Sequence, residues 1–498
     1  MTSKTFYDWQ QAAAKLVIEG RAWIGNGYCQ AENSAVIASV NPATGKNLVD
    51  IADCSEADVD RAVQIARRTF NSGVWSRLAP QQRRARLERL AQLMEENIET
   101  LALLETLSMG KPIGDSLAFD LPESVRCVRF YAAAIETTND EVLPTSDDVL
   151  ATVVREPVGV VAGVVPWNFP LMIGCWKLAP ALAAGNSVII KPAEQSSLSM
   201  LKLAGLVQQA GIPDGVFQVV TGRGEIAGRA LGLHMEVDCL AFTGSTAIGK
   251  HFMRYAADSN LKRVWLECGG KSPHLVFADC HQLEQAAAVA AAAIFINQGE
   301  VCIAGSRLYV EASIYDRFIA LLLREAQNYL PGNPLDPSTR VGAMVDKTQY
   351  QRVLDGIATA QQSGAQCLTP FPAVSERENG FFLNPVILEC DNSNIAMRQE
   401  IFGPVLSVCR FNSEEEALDL ANDSIYGLGA GVWTDDLSRA HRVARRLQAG
   451  MVWVNCYADG AITVPFGGRK QSGFGRDKSV HALDKYTDPK STWIQFSR

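Results

Sequence analysis

From Val158 onward the chain alternates short, nearly continuous apolar runs with helical stretches, and few folds accommodate that rhythm. The runs VGVVAGVV, SVIIK, VFQVV, VDCLAFT and RVWLE are rich in β-branched residues, and helical segments such as 198–210 and 225–231 lie between several of them. A strand apolar on both sides has to be covered on both faces, which predicts a parallel sheet between helical layers. A second α/β series runs from Pro273 to about Gly450 and includes a Ser413-x-x-Glu416 cap. TSDDVLATVV and the C-terminal STWIQF read as strands outside both series and fit a small third element used for association. Upstream, Ser55 caps a helix with Asp58 three positions on, and Val59, Ala62, Val63, Ala66 and Phe70 share its inner face. The stretch from about 80 to 137 is helical in pattern with a break at Gly110-Lys111-Pro112.

The chain has 498 residues, which at roughly 150 per domain implies about three domains. A balance of 47% hydrophobic to 20% charged residues is that of large buried cores. Its 46 basic and 54 acidic residues leave a net charge of −8, so no basic excess is available for a phosphate backbone and nucleic acid is not an expected partner. The N-terminus lacks a signal-peptide core, and the longest near-apolar run, 286–296, is too short for a bilayer. A cytoplasmic protein that neither spans nor binds a membrane is expected. Twelve scattered cysteines without a CxxC pair read as reduced thiols, most of them buried. Six histidines with no HExxH or zinc spacing give no reason to expect a metal.

Five places could carry chemistry. Thr243-Gly244-Ser245 follows a strand and opens a helix, where amides could hold a pyrophosphate, although the spacing is not GxGxxG and such a turn can equally be a plain connection. Lys191 and Glu194, after the strand 187–190, could bind the hydroxyls of an adenosine ribose or be a solvated pair; as a ribose ligand Glu194 would disfavour a 2′-phosphate. Cys302 lies in a polar, glycine-containing turn after an Ala-rich helix, a context for an exposed nucleophile, though any one of twelve cysteines is more often inert. Glu267 ends a strand beside two glycines and could swing as a base, or simply cap. Asn168 stands between Pro166 and Pro170 in a restricted turn where its amide could donate to an oxyanion, or be structural.

In register along essentially the whole chain, PWNFPL (166–171), GNSVIIKPAE (185–194), FTGST (242–246), LECGGKSP (266–273), GEVCIAGSR (299–307), EIFGPV (400–405) and PFGGRKQSGFGR (465–476) resemble the aldehyde dehydrogenase superfamily. The resemblance implies the aldehyde dehydrogenase fold: an α/β architecture with a Rossmann-like NAD-binding domain (1–137 and 154–267), an α/β catalytic domain (268–481) and a small β oligomerisation element (138–153 and 482–498). It implies Cys302 as nucleophile, with its own N–H and Asn168 forming the oxyanion hole, Glu267 as general base and Lys177 in support. For the cofactor, NAD, it implies Lys191 and Glu194 at the adenine ribose, Gly244 and Ser245 at the pyrophosphate, Glu400 and Phe402 at the nicotinamide ribose and ring, and Val165 and Trp167 nearby. Glu300 stands where many relatives have Gln, and Asp477 where others have Glu.

Within the superfamily the chain is most similar to bacterial dehydrogenases of γ-aminobutyraldehyde, its γ-glutamyl derivative and 4-guanidinobutyraldehyde, through DSNLKRVWLE, ANDSIYGLGAGVWT and GRDKSVHALDKYT. Asp120 and Glu123, three apart in a helical stretch, share a face, and the likeness implies a tunnel mouth formed by them and Asp459 with Tyr457 and Trp453, suited to a cationic tail; solvated surface acids are the alternative. The expected reaction is NAD-dependent oxidation of an aldehyde to its acid by a homodimer or homotetramer. Rival readings are a broad-specificity aldehyde dehydrogenase, a coenzyme A-acylating relative, and a non-catalytic nucleotide-binding protein.

Overall fold

The computed structural model describes residues 4–375 and 380–496; positions 1–3, 376–379 and 497–498 of the expected domains lie outside it. The apolar runs form the centre of an eight-stranded sheet. Arg263–Glu267, Cys239–Thr243, Val160–Val164, Ser187–Lys191 and Phe217–Val219 lie side by side and parallel in that order. Val160–Val164 is first in sequence but central in space, so the strand order reverses on either side of it, and a crevice opens at its carboxyl end. Sequence reading missed the two edges. The hairpin Ala22–Ile24 and Gly27–Cys29 extends one side. On the other, Gly473–Phe474 pairs antiparallel with Leu266 and Glu267, so a segment expected within 268–481 completes the first sheet.

The second α/β series builds a seven-stranded sheet in which Val386–Glu389, Val405–Phe411, Arg307–Glu311, Pro273–Val276, Gly429–Trp433 and Met451–Val454 run parallel, with Gln366–Cys367 antiparallel at the edge. The two strands read outside both series pair with each other: Thr487–Gln495 lies antiparallel to Val149–Pro157 over nine residue pairs, and Glu141–Leu143 adds a third strand. Trp493, Ile494, Phe496 and Val142 on this small sheet are exposed.

Helices begin and end where the local chemistry requires. Ser55 and Asp58 form a reciprocal capping box for Glu56–Ser72, and Gly73 closes it in the left-handed region. The break at Gly110 has a steric cause as well as φ +85°: a Cβ there would lie 2.3 Å from the carbonyl oxygen of Ala343. Beyond it the chain makes a π-turn, Ser116–Asp120, before the helix Leu121–Ala134. Pro170–Ala184, opened by Pro170, is buried along its whole length beneath the crevice. All twelve cysteines are free; six are buried and six half-buried, fewer buried than expected. Among the described residues no helix is long and apolar enough to cross a membrane.

Candidate active site

The crevice at the strand-order reversal opens into a cavity of about 470 Å³ whose lining includes Trp167, Asn168, Thr243, Gly244, Ser245, Cys268, Cys302, Glu400 and Phe402. Two glycines keep its wall open. A Cβ at Gly244 would stand 2.5 Å from the Phe242 ring, and one at Gly269 would stand 2.0 Å from a Glu400 carboxylate oxygen. Ser245, on the cavity wall, caps the helix Thr246–Ala257 by accepting from the Ile248 N–H, and the other N–H groups of the first turn have no partner within the helix. The Thr243 hydroxyl there is buried without a protein partner. A helix N-terminus, a glycine floor and an orphan hydroxyl at a topological switch point suit a dinucleotide. At the far end Phe402 meets Trp167 edge to face, ring centroids 5.3 Å apart. Glu400 accepts from the Gly270 N–H at 2.9 Å, and burial raises its carboxyl to about 7.

Cys302 is carried by a loop held in an unusual conformation. After the Ala-rich helix Leu283–Phe295, Asn297 (φ 47°), Gln298 (φ 58°) and Gly299 (φ 72°) are successively left-handed, a strain that persists only when its surroundings enforce it. The clamps are visible. The Gln298 side chain accepts from the Gly342 N–H at 3.0 Å, and the Asn297 amide donates to the carbonyls of Asn168 and Glu300 at 3.2 and 3.3 Å. A Glu300 carboxyl oxygen accepts from the Val345 N–H at 3.1 Å. Asn168 spends one amide hydrogen on the Glu300 carbonyl at 2.8 Å and retains a second for the cavity. Beyond the thiol, Tyr457 donates to the Ile303 carbonyl at 2.7 Å. Burial, then the carboxylates of Glu400 and Glu267, push the Cys302 thiol up to about 12.

Glu267 ends its strand with one carboxyl oxygen buried and unpartnered, and burial followed by the charge of Asp477 raises it well above the carboxylate range. Behind it Lys177 and Asp477 form a buried ion pair at 2.5 Å, and Lys485 joins the other Asp477 oxygen. Burial lowers Lys177. Burial alone would raise Asp477, but the two ammoniums together hold it below its ordinary range.

The structure thus gathers Cys302, Asn168, Trp167, Gly244, Ser245, Glu400 and Phe402 on one cavity, with Glu267 and Lys177 directly behind. Lys191 and Glu194 do not line that cavity; they pair with each other at 3.1 Å one strand away. Val165 is buried, its N–H donating to the Lys191 carbonyl.

The expected tunnel mouth needs correction. Asp120 does not share a solvent face with Glu123: it ends the π-turn, whose widened register turns it inward, and it is fully buried in an ion pair with Lys111. Lys111 also lies 4.3 Å over the Phe169 ring. Tyr457 is not free for a ligand, since its hydroxyl holds Ile303 and its ring stacks on His274 at 5.0 Å. Glu123 is half-buried and pairs with Arg126 at 2.6 Å, while Asp459 is exposed and its carbonyl accepts from Trp453 at 2.7 Å. Sequence reading also missed Lys478, which lies 5.9 Å over Trp176, itself 5.0 Å from Phe466. Glu123, Arg126, Asp459 and Lys478 thus bring both charge signs to the residues expected at the mouth.

A cavity suited to a dinucleotide thus ends on a cysteine with the Asn168 amide beside it, the setting of an oxidoreductase site. The family model described as "Aldehyde dehydrogenase family" matches residues 28–492, and the chain belongs to that family, as an NAD-dependent aldehyde dehydrogenase. It is 54% identical to the NADP/NAD-dependent aldehyde dehydrogenase PuuC of Escherichia coli (strain K12) over 486 residues, 98% of each chain. Its fold is similar to the indole-3-acetaldehyde dehydrogenase AldA of P. syringae solved with NAD+ and IAA, with TM-score 0.98, 52% identity, and 99% of this chain and 100% of that one covered. The γ-glutamyl-γ-aminobutyraldehyde dehydrogenase of Burkholderia cenocepacia J2315 matches with TM-score 0.97 at 52% identity and the same coverage.

Proposed function

We propose that this chain oxidises a small aldehyde bearing a polar, charged tail to its carboxylic acid, with Cys302 as nucleophile. The observation that carries the reading is the convergence of the Cys302 thiol and the spare Asn168 amide hydrogen at the end of one cavity, with the buried Glu267 carboxyl near enough for its charge to act on the thiol. Cys302, protonated at rest, gives its thiol proton to water as the sulfur adds to the aldehyde carbonyl and forms the C–S bond, and the Asn168 amide with the Cys302 N–H stabilises the oxyanion. When bound, NAD supplies the acceptor for the hydride leaving that carbon, which becomes a thioester. Glu267 then takes a proton from water as its oxygen attacks the acyl carbon, the C–S bond breaks, and the acid departs. A water-activating base behind the thiol favours hydrolysis over transfer to coenzyme A.

Gly244, Ser245, Glu400, Phe402 and Trp167 would hold the cofactor along the cavity, with Val165, Lys191 and Glu194 at the adenosine end. In this reading 1–137 and 154–267 form the NAD-binding domain and 268–481 the catalytic domain, apart from the edge strand at 473–474. The segments 138–153 and 482–498 form the association element of a homodimer or homotetramer, a role the exposed apolar residues of the small sheet support. For the tail, the exposed Asp459 carboxylate supports a cationic group, whereas Glu123 is already paired with Arg126, and the activity in the name of the Burkholderia relative supports an amino-aldehyde of the kind met in polyamine and arginine catabolism. Steady-state assays with NAD and aldehydes of equal length, charged and uncharged, test this. A higher kcat/KM for 4-aminobutyraldehyde or its γ-glutamyl derivative than for butyraldehyde, with free acid as product, is expected; equal values would replace it with a broad-specificity reading.

A further inference from the structure

We propose that Lys485, through Asp477, sets the proton affinity of Glu267 by giving the buried group behind Cys302 equal numbers of positive and negative charges only when Glu267 is ionised. This rests on the reading of Glu267 as the base. Lys177, Lys485, Asp477 and Glu267 are each 4% exposed or less. Asp477 is bonded through one oxygen to Lys177 at 2.5 Å and through the other to Lys485, so two ammoniums share a single carboxylate and one positive charge remains uncompensated. An uncompensated charge out of water is costly. The remaining buried carboxyl is Glu267, with one oxygen that has no bonded partner.

The other groups facing this cluster do not offset the excess. Arg476, near Glu267, is half-buried rather than part of the buried group, and its guanidinium donates to the carbonyls of Gly468 and Gly475. The phenols of Tyr131 and Tyr486 and the thiols of Cys127, Cys239, Cys268 and Cys302 around the cluster are held neutral by burial, and the charged groups beyond them, Glu123 with Lys478, Asp238 and Asp488 with Arg263, and Glu400, do not touch Asp477. Lys485 also lies 5.3 Å over the Tyr486 ring. Lys485 is a positioning residue in this account: it touches Asp477, and its charge reaches Glu267 across the cluster. An aspartate between two lysines balances one further carboxylate, which an aspartate with one lysine would not.

The test is the pH dependence of hydrolysis of the acetyl-enzyme formed from 4-nitrophenyl acetate, followed without NAD in single turnovers. Here Cys302 attacks the ester with loss of 4-nitrophenolate, and water then releases acetate. Lys485→Met leaves one positive charge too few, and the acid-side midpoint of hydrolysis should rise by at least one pH unit, with the rate recovering at high pH. Asp477→Asn leaves one too many, and the midpoint should fall. The double variant, balanced again, should return towards the wild-type value, and Lys485→Arg should keep it. If Lys485→Met does not fold, the lowered midpoint of Asp477→Asn and its return towards wild type in the double variant still test the balance. Midpoints that stay put, or move the same way in both single variants, would overturn the proposal while the Glu267 reading stands. Glu267→Gln hydrolysing the acetyl-enzyme at the wild-type rate would instead overturn that reading itself.

Discussion

Tyr457 donates its hydroxyl proton to the carbonyl of Ile303 across 2.7 Å, and so ties a residue just past the second sheet's last strand to the neighbour of Cys302. Gly299, Gln298 and Asn297 pin the loop before Cys302; this bond pins it after. Tyr457→Phe keeps the stack on His274 and removes only the bond. One buried neutral hydrogen bond is worth about 1 kcal/mol, so the variant should unfold a few degrees lower. A loosened nucleophile should also cut kcat roughly tenfold with KM for NAD unchanged. Thermal unfolding beside steady-state kinetics checks both, and an unchanged kcat would mean the preceding clamps suffice.

Cofactor choice should turn on Glu194. Its partner Lys191 sits at a strand's carboxyl end one strand from the cavity, the side on which an adenosine would extend. Glu194→Ser removes the charge that repels a 2′-phosphate and should raise kcat/KM for NADP several-fold, with a smaller loss for NAD. An unaltered ratio of the two efficiencies would place the ribose elsewhere.

His274 should make the protein acid-sensitive. It is fully buried, both ring nitrogens lack partners, and burial lowers it to about 3. A base held neutral in the fold but free to protonate when unfolded contributes stability that is whole above about pH 6.5. That contribution is lost as pH falls towards 3, up to about 5 kcal/mol in all. His274→Phe fills similar space, forfeits no hydrogen bond, and should flatten the fall of denaturant midpoint between pH 6.5 and 4. A slope identical to wild type would assign the acid response to other groups.

The parallel core was legible because its signals are local. Val160, Val161, Ile189 and Ile190 are β-branched in runs, and Ser55 with Asp58 announces a helix within four residues. The edges were not: Trp23 finds its partner Val219, and Phe474 finds Leu266, some two hundred residues away, and pairings so short leave no pattern. At the site, the motifs singled out Cys302, Glu267 and Asn168 as candidates, but not the left-handed run before the thiol, because Asn297 and Gln298 adopt it under clamps supplied by Gly342, Asn168 and Glu300. Asp120 misled for a related reason. An i, i+3 relation to Glu123 presumes an α-helix, and the π-turn removes that premise. The Lys177–Asp477 pair joins positions 300 apart, so the charge balance behind Glu267 exists only in the folded chain.

The central claim is that Cys302 carries the acyl group and Glu267 releases it. Mass spectrometry of Glu267→Gln mixed with NAD and excess aldehyde tests it most directly. The account predicts a burst of NADH close to one per active site, then turnover slowed by two orders of magnitude or so, and a mass increase equal to the acyl group on the peptide containing Cys302 and absent from Cys302→Ala. An unmodified Cys302 peptide after that burst, or NADH formation by Cys302→Ala at a substantial rate, would contradict it.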